Sequence, residues 1–150
     1  MRTEAELDGP DQLQLSTPVE FCIGGVPVSL QGSPASLRAW QDTVRQASLE
    51  GREGWEWLLE GPVQVTIYYF SSGAMAADLD NIVKPILDAM NGTVYVDDHQ
   101  VERLVVQKFE PGRILVTTNP SITLAGALGQ EPPILYVRID DERSRLEGVT

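Results

Sequence analysis

The sequence predicts a single α+β domain with a mixed β-sheet that is flanked by two main helices. Segments that alternate apolar and polar residues indicate strands, and two segments with apolar residues three and four apart indicate helices. Strands and helices are interleaved along the chain, in the predicted order β, β, α, β, α, β, β, β. The 150 residues have the length of one ordinary domain and suffice to bury a core.

Alternation is clearest at residues 63–70, where Val63, Val65, Ile67 and Tyr69 would share one face of a strand. Further strands are predicted at residues 19–23, 27–30, 94–96, 101–110, 114–117 and 134–139, of which 94–96 is a short stub. The turn signal Pro111-Gly112 predicts that strands 101–110 and 114–117 form a hairpin.

The first helix is expected to be capped by Ser36 and to bury Leu37, Trp40, Val44 and Ala47. Gly51 and Gly54 interrupt its pattern, and residues 55–59 are expected to add one more turn. A turn of helix is also predicted at residues 124–128, within a long loop at 119–133.

The second helix has the most regular apolar stripe in the chain. Its apolar residues are Leu79, Ile82, Val83, Ile86, Leu87 and Met90. Pro85 would cost about 3 kcal/mol deep in a helix but far less near the first turn. The regular helix is therefore expected to begin around residues 80–82, with Asp78 extended, and Asn91-Gly92 is expected to end it.

Composition limits the class of protein. An acidic flexible tail is predicted at residues 1–15, the folded domain at 16–140 and a charged tail at 141–150. Cys22 is the only cysteine, which excludes an internal disulfide and favours a reducing compartment. No apolar run approaches the roughly 20 residues of a membrane span, and the acidic N-terminus does not resemble a signal peptide. We therefore expect a cytoplasmic location and no contact with a membrane.

Carboxylates bracket the second helix. Asp78 and Asp80 stand at its entrance, Asp97 and Asp98 follow the next apolar run, and Lys84 lies one turn beyond Asp80. Two extended residues at i and i+2 point to the same side, so the first two carboxylates could face one ion. This arrangement predicts a divalent cation held near a phosphate, since Mg²⁺ prefers oxygen ligands.

Each of these residues also has a simpler interpretation. An Asp before a helix is commonly an N-cap, and Lys84 could form a surface pair with Asp88. His99, the only histidine, is expected to be an exposed turn residue and not a general base.

The segment 78–101 resembles the RusA family of Holliday junction resolvases. The resemblance lies in Asp78-Leu79-Asp80-Asn81, in Lys84 four residues after the second Asp, and in Asp97-Asp98 followed by Gln100-Val101. It implies a dimeric endonuclease that cuts branched DNA, above all four-way junctions, with Mg²⁺ or also Mn²⁺. It also implies that Asp78, Asp80 and Asp98 bind the metal and that Lys84 is the catalytic lysine. Asp97 would stand beside them as a further candidate ligand.

The net charge of −11 favours a second hypothesis, because DNA-binding surfaces are normally basic. In this alternative the chain is a catalytically weak protein of RusA fold that binds a protein partner through its acidic surface. If DNA is the substrate, several basic residues are expected to gather on the face that carries Asp78 and Asp98.

Overall fold

The computed structural model of the protein describes residues 18–52, 57–73, 78–113, 115 and 117–141. Its elements are β1 (Val19–Gly24), α1 (Pro34–Gly51), β2 (Val63–Phe70), α2 (Leu79–Ala89), a 3₁₀ turn (Asp98–Gln100), β3 (Val101–Phe109), α3 (Ile122–Leu128) and β4 (Ile134–Asp141). The predicted α+β class, mixed sheet and two main helices are confirmed. Apart from Asp141 at the end of β4, the predicted tails lie outside the described residues.

The four strands in the described residues lie in the order β1-β4-β2-β3. β4 is antiparallel to both of its neighbours, whereas β2 and β3 are parallel. Parallel neighbours need a crossover connection, and α2 lies in the chain between them. The 3₁₀ turn leads directly into β3, so the residues around α2 and the start of β3 can form one site.

The main core lies between one face of the sheet and the helices α1 and α2. Val63, Val65, Ile67 and Tyr69 are buried on that face, as the alternation predicted. The opposite face carries a smaller apolar cluster, in which α3 packs through Leu124. The other members of that cluster are Ala127, Ile134 and Tyr136, with Cys22, Tyr68, Phe70 and Leu115 partly buried around them.

α1 begins earlier than the sequence indicated. The N-cap is Ser33, not Ser36, because Ser33 Oγ accepts a hydrogen bond from the Ser36 amide at 3.1 Å. Pro34 follows as the first helical residue, where its missing N–H costs nothing. Trp40 and Val44 are buried as predicted, whereas Leu37 and Ala47 are only partly buried.

α2 contains Pro85 in its interior, so the expectation that the proline lies near the first turn was wrong. Proline has no N–H for the carbonyl four residues earlier, which here belongs to Asn81. The amide of Leu30 donates to that carbonyl at 2.9 Å. The segment 27–30, predicted as a strand, is irregular chain that supplies this bond.

The predicted hairpin was also wrong in its described part. Leu115 and Thr117 belong to no strand, and Ile114 and Val116 lie outside the described residues. β3 is instead the parallel neighbour of β2. Its alternation is compatible with either partner, so sequence alone did not decide between them.

Smaller predictions had mixed outcomes. The stub at 94–96 is reduced to isolated bridges at Tyr95, and the helical turn at 124–128 is part of α3. Residues 55 and 56 of the other predicted helical turn lie outside the described part. Residues 57–59 are not helical, and Leu59 pairs with Tyr95. Gly92 has φ of 78°, which fits the predicted stop after α2. Within the described ranges, no helix is long and apolar enough to cross a membrane.

Candidate active site

Asp78 occupies the N-cap position of α2 but does not act as a capping side chain. Its backbone is extended, with φ of −75° and ψ of 152°, as predicted, and its carboxylate forms no capping hydrogen bond. Asp80 lies in the first turn, and both residues are exposed. The simpler interpretation of Asp78 as an ordinary cap therefore does not account for its carboxylate.

Lys84 connects α2 to the 3₁₀ turn of the predicted motif. Its Nζ lies 2.8 Å from Oδ2 of Asp98 and 2.9 Å from Oδ1 of Asp88. The hydrogen bond to Asp98 first, and then that to Asp88, raise the pKa of the lysine above its ordinary value. Lys84 thus forms the predicted surface pair with Asp88 and also contacts Asp98, a candidate metal ligand. Its catalytic role stays a prediction.

Helical spacing places Asp80, Lys84 and Asp88 along one side of α2, each a turn from the next. Asp98 approaches this row from the 3₁₀ turn. Its side chain is 20% exposed, which is less than the 52% of Lys84 or the 37% of Asp88. The buried residues of α2 fix its orientation: Ile82, Val83, Pro85, Ile86, Leu87 and Ala89.

Asp97 caps the 3₁₀ turn. Its Oδ2 accepts a hydrogen bond from the His99 amide at 3.0 Å and lies 2.6 Å from Nδ1 of the same residue. These hydrogen bonds to His99 lower the pKa of Asp97. His99 is exposed, as predicted.

Gln100 is a positioning residue to which sequence reasoning gave no role. Its buried side chain accepts hydrogen bonds from the amides of Val96 and Asp97 at 2.8 and 3.0 Å. It donates to the carbonyls of Leu59 and Gly61 at 2.8 and 2.9 Å. The spacing Asp97-x-x-Gln100, a capping-box pattern, was the available signal.

The donor chemistry of the site fits a hard dication, since Asp78, Asp80 and Asp98 all offer carboxylate oxygens. Among the residues that the structure describes, no three His, Cys, Asp or Glu side chains converge as a ready metal site. Mg²⁺ is commonly held by one or two protein carboxylates, with water and phosphate oxygens completing its shell. The residues therefore fit such an ion, and metal binding remains a prediction.

Several basic residues are already engaged with acidic neighbours elsewhere. The pairs are Arg45 with Asp42 at 2.8 Å, Lys108 with Glu110 at 3.0 Å and Arg138 with Asp140 at 2.8 Å. Of the ion pairs found in the described ranges, only those of Lys84 and His99 involve a candidate ligand. Among these ion pairs, Lys84 is therefore the only lysine or arginine that contacts a candidate ligand.

Comparison with known proteins identifies the family to which the chain belongs. The family model for endodeoxyribonuclease RusA matches residues 31–119, which run from before α1 to beyond β3 and include every candidate site residue. No curated protein matches the chain. The family match covers more than half of the 150 residues, and the chain therefore belongs to the RusA family of endodeoxyribonucleases.

Proposed function

We propose that the protein is a Mg²⁺-dependent, structure-specific endonuclease that resolves four-way DNA junctions. Membership of the RusA family implies Holliday junction resolvase activity. The contact between Lys84 and Asp98 carries the finer proposal, because it joins residues fourteen positions apart that belong to opposite ends of the motif. An amine beside carboxylates suits a site that must bind a phosphate together with a cation.

In the proposed mechanism, Asp78, Asp80 and Asp98 would hold the metal ion, with Asp97 as a further candidate ligand. Because no three of these carboxylates converge in the described residues, they would have to move closer together when the ion binds. When bound, Mg²⁺ polarises the scissile phosphate and activates the attacking water. Lys84 donates a hydrogen bond to a non-bridging phosphate oxygen and offsets the charge that develops there. Gln100 and the cap at Asp97 keep the turn that carries Asp98 in place.

Replacing each proposed ligand by its amide tests this mechanism. The changes Asp78→Asn, Asp80→Asn and Asp98→Asn keep the side-chain shape but remove the charge that attracts a dication. Each should abolish cleavage of a four-way junction while the thermal unfolding curve stays close to that of the unaltered protein.

The exposed residue Asp42 on α1 offers a matched control, and Asp42→Asn should cleave normally. EDTA should stop cleavage, and Mg²⁺ or Mn²⁺ should restore it. Cleavage that persists in EDTA, or in all three variants, contradicts the mechanism.

We also propose that the protein is a homodimer, since resolving a junction requires nicks in two symmetry-related strands. Trp57 supports an apolar contact surface, because it is 62% exposed. Trp55, which the sequence suggested for the same surface, lies outside the described residues. Light scattering at micromolar concentration should give the mass of two chains, and a single-chain mass contradicts the proposal.

The acidic charge supports one competing proposal, a catalytically weak member that binds a protein partner. Its basis is the net charge of −11, together with the ion pairs that occupy Arg45, Lys108 and Arg138. This alternative would be favoured if junctions were neither bound nor cleaved at low salt with Mg²⁺.

For either function we propose a cytoplasmic location, which suits the lone cysteine.

A further inference from the structure

Asp88 has no role in the proposed reaction so far, yet it forms half of the contacts of the catalytic lysine. Lys84 Nζ lies between Asp88 Oδ1 at 2.9 Å and Asp98 Oδ2 at 2.8 Å. The side chain of Asp88 is 37% exposed, so the pair is partly shielded from water.

The two carboxylates hold the lysine from different parts of the fold. Asp88 lies on the same helix, four residues further on, and its distance from Lys84 is set by the geometry of that helix. Asp98 belongs to the 3₁₀ turn. A lysine side chain is long and flexible, and Lys84 is half exposed, so two carboxylates restrict its ammonium more than either one alone would.

Asp98 is also a proposed metal ligand, and its oxygens would then be shared with the ion. Asp88 is not a proposed metal ligand, because it lies at the opposite end of α2 from Asp78 and Asp80. It can therefore keep the ammonium in place when the interaction with Asp98 weakens.

We propose that Asp88 is a positioning residue, which holds the Lys84 ammonium beside Asp98 so that the lysine is already placed when the phosphate arrives. This inference rests on the proposed nuclease function. It differs from the simple surface pair in its expected effect. A helical i,i+4 ion pair near the surface contributes little to stability, so variants of Asp88 should fold, whereas loss of positioning should lower the rate.

The first test compares Asp88→Ala, Lys84→Ala and the double variant. With saturating four-way junction and Mg²⁺, Asp88→Ala should lower kcat by roughly 10-fold or more, a loss like that seen when outer-shell partners of metal ligands are removed. Junction affinity, measured with Ca²⁺ in place of Mg²⁺, should change much less than kcat. In the Lys84→Ala background, Asp88→Ala should cause no further loss, since its effect passes through the lysine.

Two further variants sharpen the comparison. Asp88→Glu keeps the charge within reach of the lysine and should retain most of the activity. Asp42→Ala removes a helical carboxylate that pairs with Arg45 and forms no ion pair with Lys84, and it should leave kcat unchanged. A loss from Asp88→Ala that is as large without Lys84 as with it overturns the inference.

The second test needs neither metal nor DNA. Lys84 and Lys108 are the only two lysines in the sequence, so limited acylation followed by mass spectrometry yields one ratio with an internal reference. Asp88→Ala should raise acylation of Lys84 relative to Lys108 several-fold, because the amine is freed from one of its two partners.

An unchanged acylation ratio overturns the inference, whatever the activity. Absence of cleavage by the unaltered protein overturns the proposed function instead. The acylation ratio then still decides whether Asp88 holds Lys84.

Discussion

The side-chain amide of Gln100 connects the turn that carries the candidate ligands to a backbone segment 41 residues away. It is buried, and both its oxygen and its nitrogen have two backbone partners. A buried polar group that loses its partner costs about 1–3 kcal/mol. Gln100 is therefore expected to matter for stability as well as for the position of Asp98.

Gln100→Glu provides a test with almost no change in shape. The carboxylate can still accept from Val96 and Asp97, but it cannot donate to the carbonyls of Leu59 and Gly61. We expect the free energy of unfolding to fall by at least about 2 kcal/mol in chemical denaturation. The control Gln107→Glu, on an exposed position of β3, should change it little. Equal midpoints for the two variants would contradict this role.

At the scale of residues, sequence reasoning succeeded where the signal was local. The extended backbone of Asp78, the exposure of His99 and the pair between Lys84 and Asp88 all follow from spacing within a few residues. The contact between Lys84 and Asp98 joins a helix to a turn. Its existence depends on how α2 packs, which the spacing of charges does not determine.

At the scale of elements, the end of α1 lies close to the backbone of β1. Gly51 is the last residue of α1, and a Cβ there would lie 2.5 Å from the carbonyl oxygen of Glu20. The sequence showed only that glycine interrupts a helical pattern. The structure gives the physical reason, which is the room that the neighbouring strand requires.

Gly51→Ala should therefore destabilise the fold, because backbone would have to move. We expect a loss of about 1–3 kcal/mol, typical of overpacking, measured by thermal or chemical unfolding. Gly126 in α3 is the matched control, since a Cβ there meets nothing within 4 Å. Gly126→Ala should instead stabilise the protein by up to about 1 kcal/mol. The same sign for both substitutions would count against the explanation.

Elements with a strong periodic pattern were predicted well. β2 was predicted to the residue, and β4 and α1 within a few residues of their ends. The segment 27–30 looked like a strand because its residues alternate. Its Leu30 amide instead donates a hydrogen bond to the Asn81 carbonyl, which Pro85 leaves without a helical donor. Such a bond between distant segments overrides local pattern.

At the scale of the whole molecule, the acidic charge should govern how DNA is held. Each phosphate neutralised contributes a slope of about −0.9 to the plot of log binding constant against log salt. With three basic residues engaged in ion pairs elsewhere, we expect a shallow slope and binding to a labelled junction only at low salt. Lys84→Ala and removal of the divalent cation should both weaken it further. Tight binding at physiological salt that ignores both changes would contradict this expectation.

The class of the fold was predictable because it depends on the sum of local patterns. The order of the strands was not, since β1 and β4 are distant in sequence and pair only through the completed core. The parallel pairing of β2 with β3 was missed for the same reason, as a turn signal after β3 favoured a local hairpin.

The position of β4 has a consequence for how the protein is made. β4 is the last strand in the described part of the chain, yet it lies between β1 and β2 and bonds to both. During synthesis, β1 leaves the ribosome more than a hundred residues before β4, the only strand that pairs with it among the described residues. The nascent chain can assemble α1, β2, α2 and β3 early, but the sheet closes only when residues 134–141 emerge. A chain stalled after residue 119 would contain the whole family match and still lack the strand that joins the two halves of the sheet.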